Sequence, residues 1–237
     1  MDCDSVAGFC SAVRGGGRAI LLVRHAERGK IDPKDPTFGD SLPITEEGRR
    51  TARRLGEMLA DCGADALESV RFVSSPLLRT RMTAAEIAAG MGLGGRDIPA
   101  YGCLGNESFY YNDTSKVLEA FTPPENFFPA CFRYMDEGSL DGFNPLAEAT
   151  DAMEKWLFEQ TGNARVLIAA THDLYIAAFL AARNAYTERS RETWPRFLDA
   201  AAIYLEGGSG QPLRAARYAL VRTGLSDRIT GIPSAAV

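Results

Sequence analysis

This 237-residue chain contains two histidines, and each stands where an apolar run ends. Leu21-Leu22-Val23 leads into Arg24-His25-Ala26-Glu27-Arg28, and Val166-Leu167-Ile168-Ala169-Ala170 leads into Thr171-His172-Asp173. A short apolar run that finishes in charge reads as a buried parallel strand with a site at its carboxyl end. A neutral imidazole nitrogen is a nucleophile. Flanking arginines disfavour its protonation, and their guanidinium groups grip a phosphate bidentately. The chemistry that fits His25 is acceptance of a phosphoryl group. From this stretch alone, a core histidine satisfied at a strand end fits equally. Arg79 lies just past a third apolar run, in the first turn of its helix. Strand-end placement therefore gathers Arg24, His25, Arg28, Arg79 and His172 at one rim. Two unrelated core histidines would have no reason to coincide there.

The elements that must hold these residues follow from periodicity. Strands are expected over 19–23, 69–73 and 165–170, with a further short one over 98–101. A helix starts after Thr45, with Glu46 and Glu47 in its first turn and an apolar stripe of Ala52, Leu55, Met58 and Leu59. Further helices are expected over 77–89, 145–160 and 174–183, and an antiparallel edge pair over 200–205 and 214–221. Residues 1–18 read as a flexible arm ending in Gly15-Gly16-Gly17, and 29–43 as a Pro- and Gly-containing loop. Gly90-Met91-Gly92-Leu93-Gly94-Gly95 has the letters of a dinucleotide fingerprint but follows a helix, so it reads as a helix stop. Residues 102–143 break the alternation with many aromatic residues, and are too long for an ordinary connection. They read as an inserted lid over the site, or alternatively as a peripheral mini-core. The expectation is one α/β domain over 1–237: a three-layer α/β/α sandwich with a mostly parallel central sheet and 102–143 as its insertion.

Composition narrows the classes. A formal net charge of −5 lacks the basic footprint of a nucleic-acid binder. The chain has no apolar run long enough to span a bilayer and no secretory pattern at its start, so a cytoplasmic protein without membrane partner is expected. Five cysteines without C-x-x-C spacing argue against a disulfide framework or zinc site. No carboxylate or cysteine cluster accompanies the histidines, so neither metal nor cofactor is expected.

Taken together, Leu22 to Arg28, Leu42-Pro43-Ile44-Thr45-Glu46-Glu47-Gly48, Val73-Ser74-Ser75-Pro76-Leu77-Leu78-Arg79-Thr80 and Thr171-His172-Asp173 resemble the histidine phosphatase superfamily, the phosphoglycerate-mutase-like fold. The resemblance implies that His25 is the phosphorylated histidine and that Arg24, Arg79 and His172 form its phosphate pocket. The Arg-His-x-x-Arg pattern and the His-Asp pair are similar to the acid phosphatase and phytase branch, which implies roles for Arg28 and Asp173. The mutase-like branch instead places an acidic residue between the Arg79 motif and the second histidine. Glu107 matches that position, with Asp113 as a poorer candidate.

Phosphoryl transfer needs positioning and charge stabilisation, which three arginines and a second histidine supply. It also needs a carboxylic acid to protonate the leaving oxygen and later activate water. Asp173 is the first candidate, or else the N-cap of the following helix; Glu107 is the second, or else an exposed loop residue. Glu27 reads as a partner of an arginine. The expected function is a metal-independent phosphatase acting on a phosphomonoester of a small metabolite through a phosphohistidine on His25. The alternatives are a phosphomutase or phosphoprotein phosphatase of the same fold, and a non-catalytic phosphate-ligand binding or regulatory module. The scarcity of basic residues in 102–143 favours a small monophosphate with an apolar or ring-bearing leaving group. Oligomeric state stays open.

Overall fold

The computed structural model describes residues 4–32, 35, 39–63, 67–208 and 211–228. Its strands are β1 (Arg18–Arg24), β2 (Val70–Ser74), β3 (Val166–Thr171), β4 (Ala200–Gly208) and β5 (Gln211–Val221). They form one sheet in the order β2-β3-β1-β4-β5. β1 and β2 both run parallel to β3, whereas β4 is antiparallel to β1 and to β5. The sheet is thus half parallel and half antiparallel by ladder, less parallel than expected. The physical reason is the tight return from β4 into the edge strand β5, which needs no crossover.

β1 is central and buried from Ala19 onward. Its side chains alternate: Leu21 and Val23 enter one core, Ile20 and Leu22 the other. The first core is covered by α1 (Val6–Arg14), α2 (Glu46–Ala60) and α3 (Leu78–Gly90). The second is covered by α4 (Thr114–Ala120), α5 (Phe127–Glu137), α6 (Leu146–Thr161) and α7 (Asp173–Ala182). Helices therefore lie on both faces, as the layered reading anticipated.

Two expectations fail. Residues 4–18 are not a flexible arm: Ser5 caps α1 by accepting the Gly8 N–H, and Val6, Phe9, Cys10 and Val13 are buried against α2. The stripe was hidden because Gly8, Ser11 and the glycines after Arg14 dilute its apolar pattern. Residues 98–101 contribute one parallel bridge, Ala100 to Ser74, and no strand. Of the loop over 29–43, residues 33, 34 and 36–38 lie outside the described residues, as do Cys3 and the end of the chain beyond 228. Cys10, Cys62, Cys103 and Cys131 are free thiols. No helix among the described residues is long and apolar enough to cross a membrane.

α2 and α3 touch backbone to backbone. A Cβ on Gly56 would stand 2.1 Å from the Ile87 carbonyl oxygen, and one on Gly90 would stand 2.0 Å from that of Arg53. This contact fixes the helix that carries Arg79. In an open helix interior, Gly→Ala stabilises by about 1 kcal/mol. Here backbone, which cannot yield, meets the new methyl, so Gly56→Ala is expected to destabilise by about 2 kcal/mol or more. Urea unfolding monitored by circular dichroism reads the sign; a gain in stability would refute the contact.

Candidate active site

The β1–β3 register pairs Arg24 with Thr171, so the next residue on each strand is a histidine. The His25 N–H donates to the Thr171 carbonyl at 2.9 Å, extending the ladder by one step. The two imidazole rings stand edge-on, with centroids 5.4 Å apart. β2 pairs Ser74 with Ala170, which sets Ser75 against the same rim.

Proton positions follow from the partners. His25 Nδ1 lies 2.8 Å from the Ala26 carbonyl oxygen, which can only accept, so Nδ1 carries the hydrogen. Burial, reinforced by Arg79, His172 and Arg24, holds this imidazole well below its usual 6.5, so it is neutral and its lone pair sits on Nε2. That is the electronic state a nucleophile requires. Thr80 Oγ1 lies 2.7 Å from the Leu77 carbonyl oxygen and therefore donates to it. Ser75 Oγ, 2.7 Å from Thr80 Oγ1, then donates to Thr80, and His172 Nε2, 3.2 Å from Ser75 Oγ, donates to Ser75. His172 is likewise kept neutral, by burial first and then by Arg79, Arg24 and Arg28.

Three guanidinium groups surround the pair. Arg24 is 1% exposed, donates to the Pro195 carbonyl at 2.6 Å, and lies over the Phe197 ring at 4.3 Å. Arg79 donates to the Gly39 carbonyl at 2.6 Å, and Arg28 donates to that of Gly29 at 2.9 Å. Burial pushes Arg79 and Arg28 each down to about 10, and at Arg28 the neighbouring Arg79 adds to the push. Both remain charged at neutral pH, and the Nε atoms of both are buried without a hydrogen-bond partner among the described residues. Buried cations with unused donors are a site for an anion with several acceptor oxygens.

Asp173 is the carboxylate inside this cluster. Its Oδ2 is 3.0 Å from Arg24 Nη2 and accepts the Trp194 Nε1–H at 3.1 Å, while Oδ1 accepts the Leu174 N–H at 3.0 Å. It is not the N-cap: His172 occupies that position, and Asp173 is the first residue of α7. Glu107 lies elsewhere. Its carboxylate covers Gly102, and it lines a cavity of about 400 Å³ with Cys103, Phe109, Asn144 and Glu148, a lining that includes none of the histidines or arginines above. Asp113 caps α4. Glu27 pairs with Arg228 at 2.6 Å. Among the described residues no group of three or more histidine, cysteine, aspartate or glutamate side chains gathers as a metal ion requires.

Sequence reasoning missed the supports. Trp194, Phe197 and Asp199 come from an irregular stretch with no periodic signal. Asp199 accepts the N–H of Arg196 and a charged bond from Arg222, and its carbonyl accepts the Arg24 N–H. Leu198, between Phe197 and Asp199, adopts φ 68°, a left-handed conformation that costs about 1–3 kcal/mol and is held by these bonds. Ser75 was visible only as part of a turn.

Residues 20–99 match the Histidine phosphatase superfamily (branch 1), a span that ends ahead of Glu107, His172 and Asp173. No curated protein matches the chain. Among solved structures the fold is similar to Mycobacterial hydrolase 2 (16% identity, 87% of this chain and 93% of that one, TM-score 0.52). It is also similar to Mycobacterial hydrolase 1 (15% identity, 85% and 97%, TM-score 0.52). A mycobacterial glucosyl-3-phosphoglycerate phosphatase shares it too (15% identity, 87% and 99%, TM-score 0.51). The match to the superfamily thus covers residues 20–99, and the similarity to these solved structures is one of fold.

The buried histidines tie stability to pH. Each is neutral when folded and titrates near 6.5 when unfolded, so below that pH the unfolded chain binds more protons. Their contribution is complete above about 6.5 and is lost as pH falls from there, at up to about 1.4 kcal/mol per pH unit for each histidine. Urea midpoints between pH 7.5 and 5 are expected to fall less steeply in His172→Asn than in the native chain. Parallel slopes would show that the ring is protonated in the fold.

Proposed function

We propose that this chain, histidine-phosphatase-like in motif and fold, is a phosphomonoesterase that works through a phosphohistidine on His25. The observation that carries the reading is the pair of neutral imidazoles 5.4 Å apart, enclosed by three arginines of which two keep unused buried donors. The alternative of a binding module gives no reason to keep a free imidazole lone pair among those cations.

In this mechanism Arg24, Arg28 and Arg79 hold the phosphoryl oxygens, and the His172 Nε2–H passes from Ser75 to one of them when the anion binds. The His25 Nε2 lone pair forms an N–P bond as the ester P–O bond breaks. The substrate enters as its phosphate monoanion and passes its proton to the Asp173 carboxylate, which then gives that proton to the leaving oxygen. Water then attacks phosphorus, gives its proton to the Asp173 carboxylate, and the N–P bond breaks, returning the lone pair to Nε2 and releasing inorganic phosphate. Asp173 is favoured over Glu107 because it touches Arg24 and adjoins His172. The substrate proposed is a small monophosphate.

His25→Ala is expected to lower kcat by about a thousandfold or more. Rapid acid quench of the native enzyme with substrate should add the mass of one phosphoryl group to the peptide containing His25. Turnover close to native in the alanine variant would end the proposal.

The two acids separate by leaving group. Asp173→Asn keeps one acceptor oxygen but cannot supply the proton, and leaving one neighbouring donor short should cost about 1–3 kcal/mol of stability. Single-turnover phosphorylation of His25 is expected to slow severely with an alkyl phosphate and far less with a nitrophenyl phosphate. Glu107→Gln should show no such dependence. The reverse pattern would transfer the role to Glu107.

A further inference from the structure

We infer that the leaving group is received by an aromatic enclosure beside Asp173, formed by Tyr111, Phe121 and Phe127 in front of the buried Trp194. The substrate is then a phosphomonoester of an alcohol that carries an aryl or extended hydrocarbon group. The inference rests on the role proposed for His25 and Asp173, and adds the chemistry of what leaves.

A closed circuit of ring contacts carries it. From His172 the centroids step to Tyr175 at 5.7 Å, then to Tyr111 at 6.0 Å, to Phe143 at 5.3 Å and to Phe121 at 6.0 Å. They continue to Phe127 at 5.0 Å and Trp194 at 5.8 Å. Trp194 closes the circuit by donating to Asp173, the residue after His172. The candidate proton donor is thus bounded by aromatic side chains drawn from 102–143 and from the stretch before β4.

Burial divides these rings by task. Tyr110, Phe128, Tyr134, Phe143 and Trp194 are buried and build the core with α6 and α7. Tyr111, Phe121 and Phe127 are only half-buried, so they keep apolar surface that a ligand can cover. Tyr111 also feels Asp173, and burial of its hydroxyl pushes that group far above its usual range, so it stays a neutral donor. The basic side chains of the segment are engaged outside: Lys116 pairs with Asp141, and Arg133 with Glu137, on the exposed surface. The enclosure therefore offers apolar faces and neutral donors, and suits a ring or chain better than a second phosphate.

The test uses ethyl, n-hexyl and 2-phenylethyl phosphate, whose alcohols are of nearly equal acidity, so that demand on the proton donor is constant. Burying a phenyl group should raise kcat/KM for 2-phenylethyl over ethyl phosphate by about ten- to a hundredfold. Phe121→Ala and Phe127→Ala, checked for folding by thermal melting, should bring that ratio below about threefold. Phe127→Leu, which keeps apolar volume, should retain most of it. Phe109→Ala, whose side chain lines the separate cavity with Glu107, should leave the ratio unchanged. A flat series with His25 still phosphorylated by every member overturns the enclosure and spares the phosphatase. An undiminished ratio in both alanine variants overturns the residue assignment. Absence of His25 phosphorylation by all three overturns the underlying reading and this inference with it.

Discussion

The structure depends on one backbone constraint, the parallel register of β1 against β3. Because Arg24 pairs with Thr171, the chain leaves both strands at the same height, and His25 and His172 emerge side by side. A slip of one residue would turn one of the two side chains to the opposite face of the sheet. Register is protected by the alternation along both strands, which sends Leu21 and Ile168 into one core and Leu22 and Leu167 into the other. The hydrophobic effect on two faces thereby sets the position of two polar rings at the strand ends.

The site lies under electrostatic tension. Three arginines are desolvated around two histidines that are denied a proton, and Asp173 is the carboxylate in direct contact with one of them. Such an arrangement is costly without an anion and favourable with one. The structure tolerates it by anchoring guanidinium groups to carbonyls at Pro195, Gly39 and Gly29 and leaving donors on Arg28 and Arg79 unsatisfied. Preorganisation of this kind places the reorganisation cost in folding and away from the proposed transfer step.

The stretch between α7 and β4 is short of regular structure yet dense in consequence. Trp194 holds Asp173, Phe197 lies against both Arg24 and His25, and Asp199 joins Arg24 to the backbone and Arg222 to the carboxylate. The left-handed Leu198 is the turn that lets its neighbours on both sides face inward. Residues 102–143 behave in two ways at once, supplying buried core rings and half-buried rings near Asp173. Their buried rings form the core that the mini-core expectation described.

The sequence by itself determined the candidate site residues and their strands. Apolar runs that end in charge are dictated by burial of a central strand, so Arg24-His25 and Thr171-His172 were legible, as were the Thr45 cap, the stop at Gly90 and the terminal antiparallel pair. Other features were decided by contacts between residues distant in the chain. α1 is held by packing on α2, the stretch 98–101 meets the edge strand β2 only at its last residue, Ser74, and β4 turns back beside β1. The sequence ranked Asp173 ahead of Glu107 by its adjacency to His172, and only the tertiary structure showed Asp173 against Arg24 and Glu107 lining a separate cavity. Trp194 and Phe197 carried no signal: an aromatic residue in an irregular stretch has no period, and its role exists only once the sheet has brought Arg24 and Asp173 within its reach.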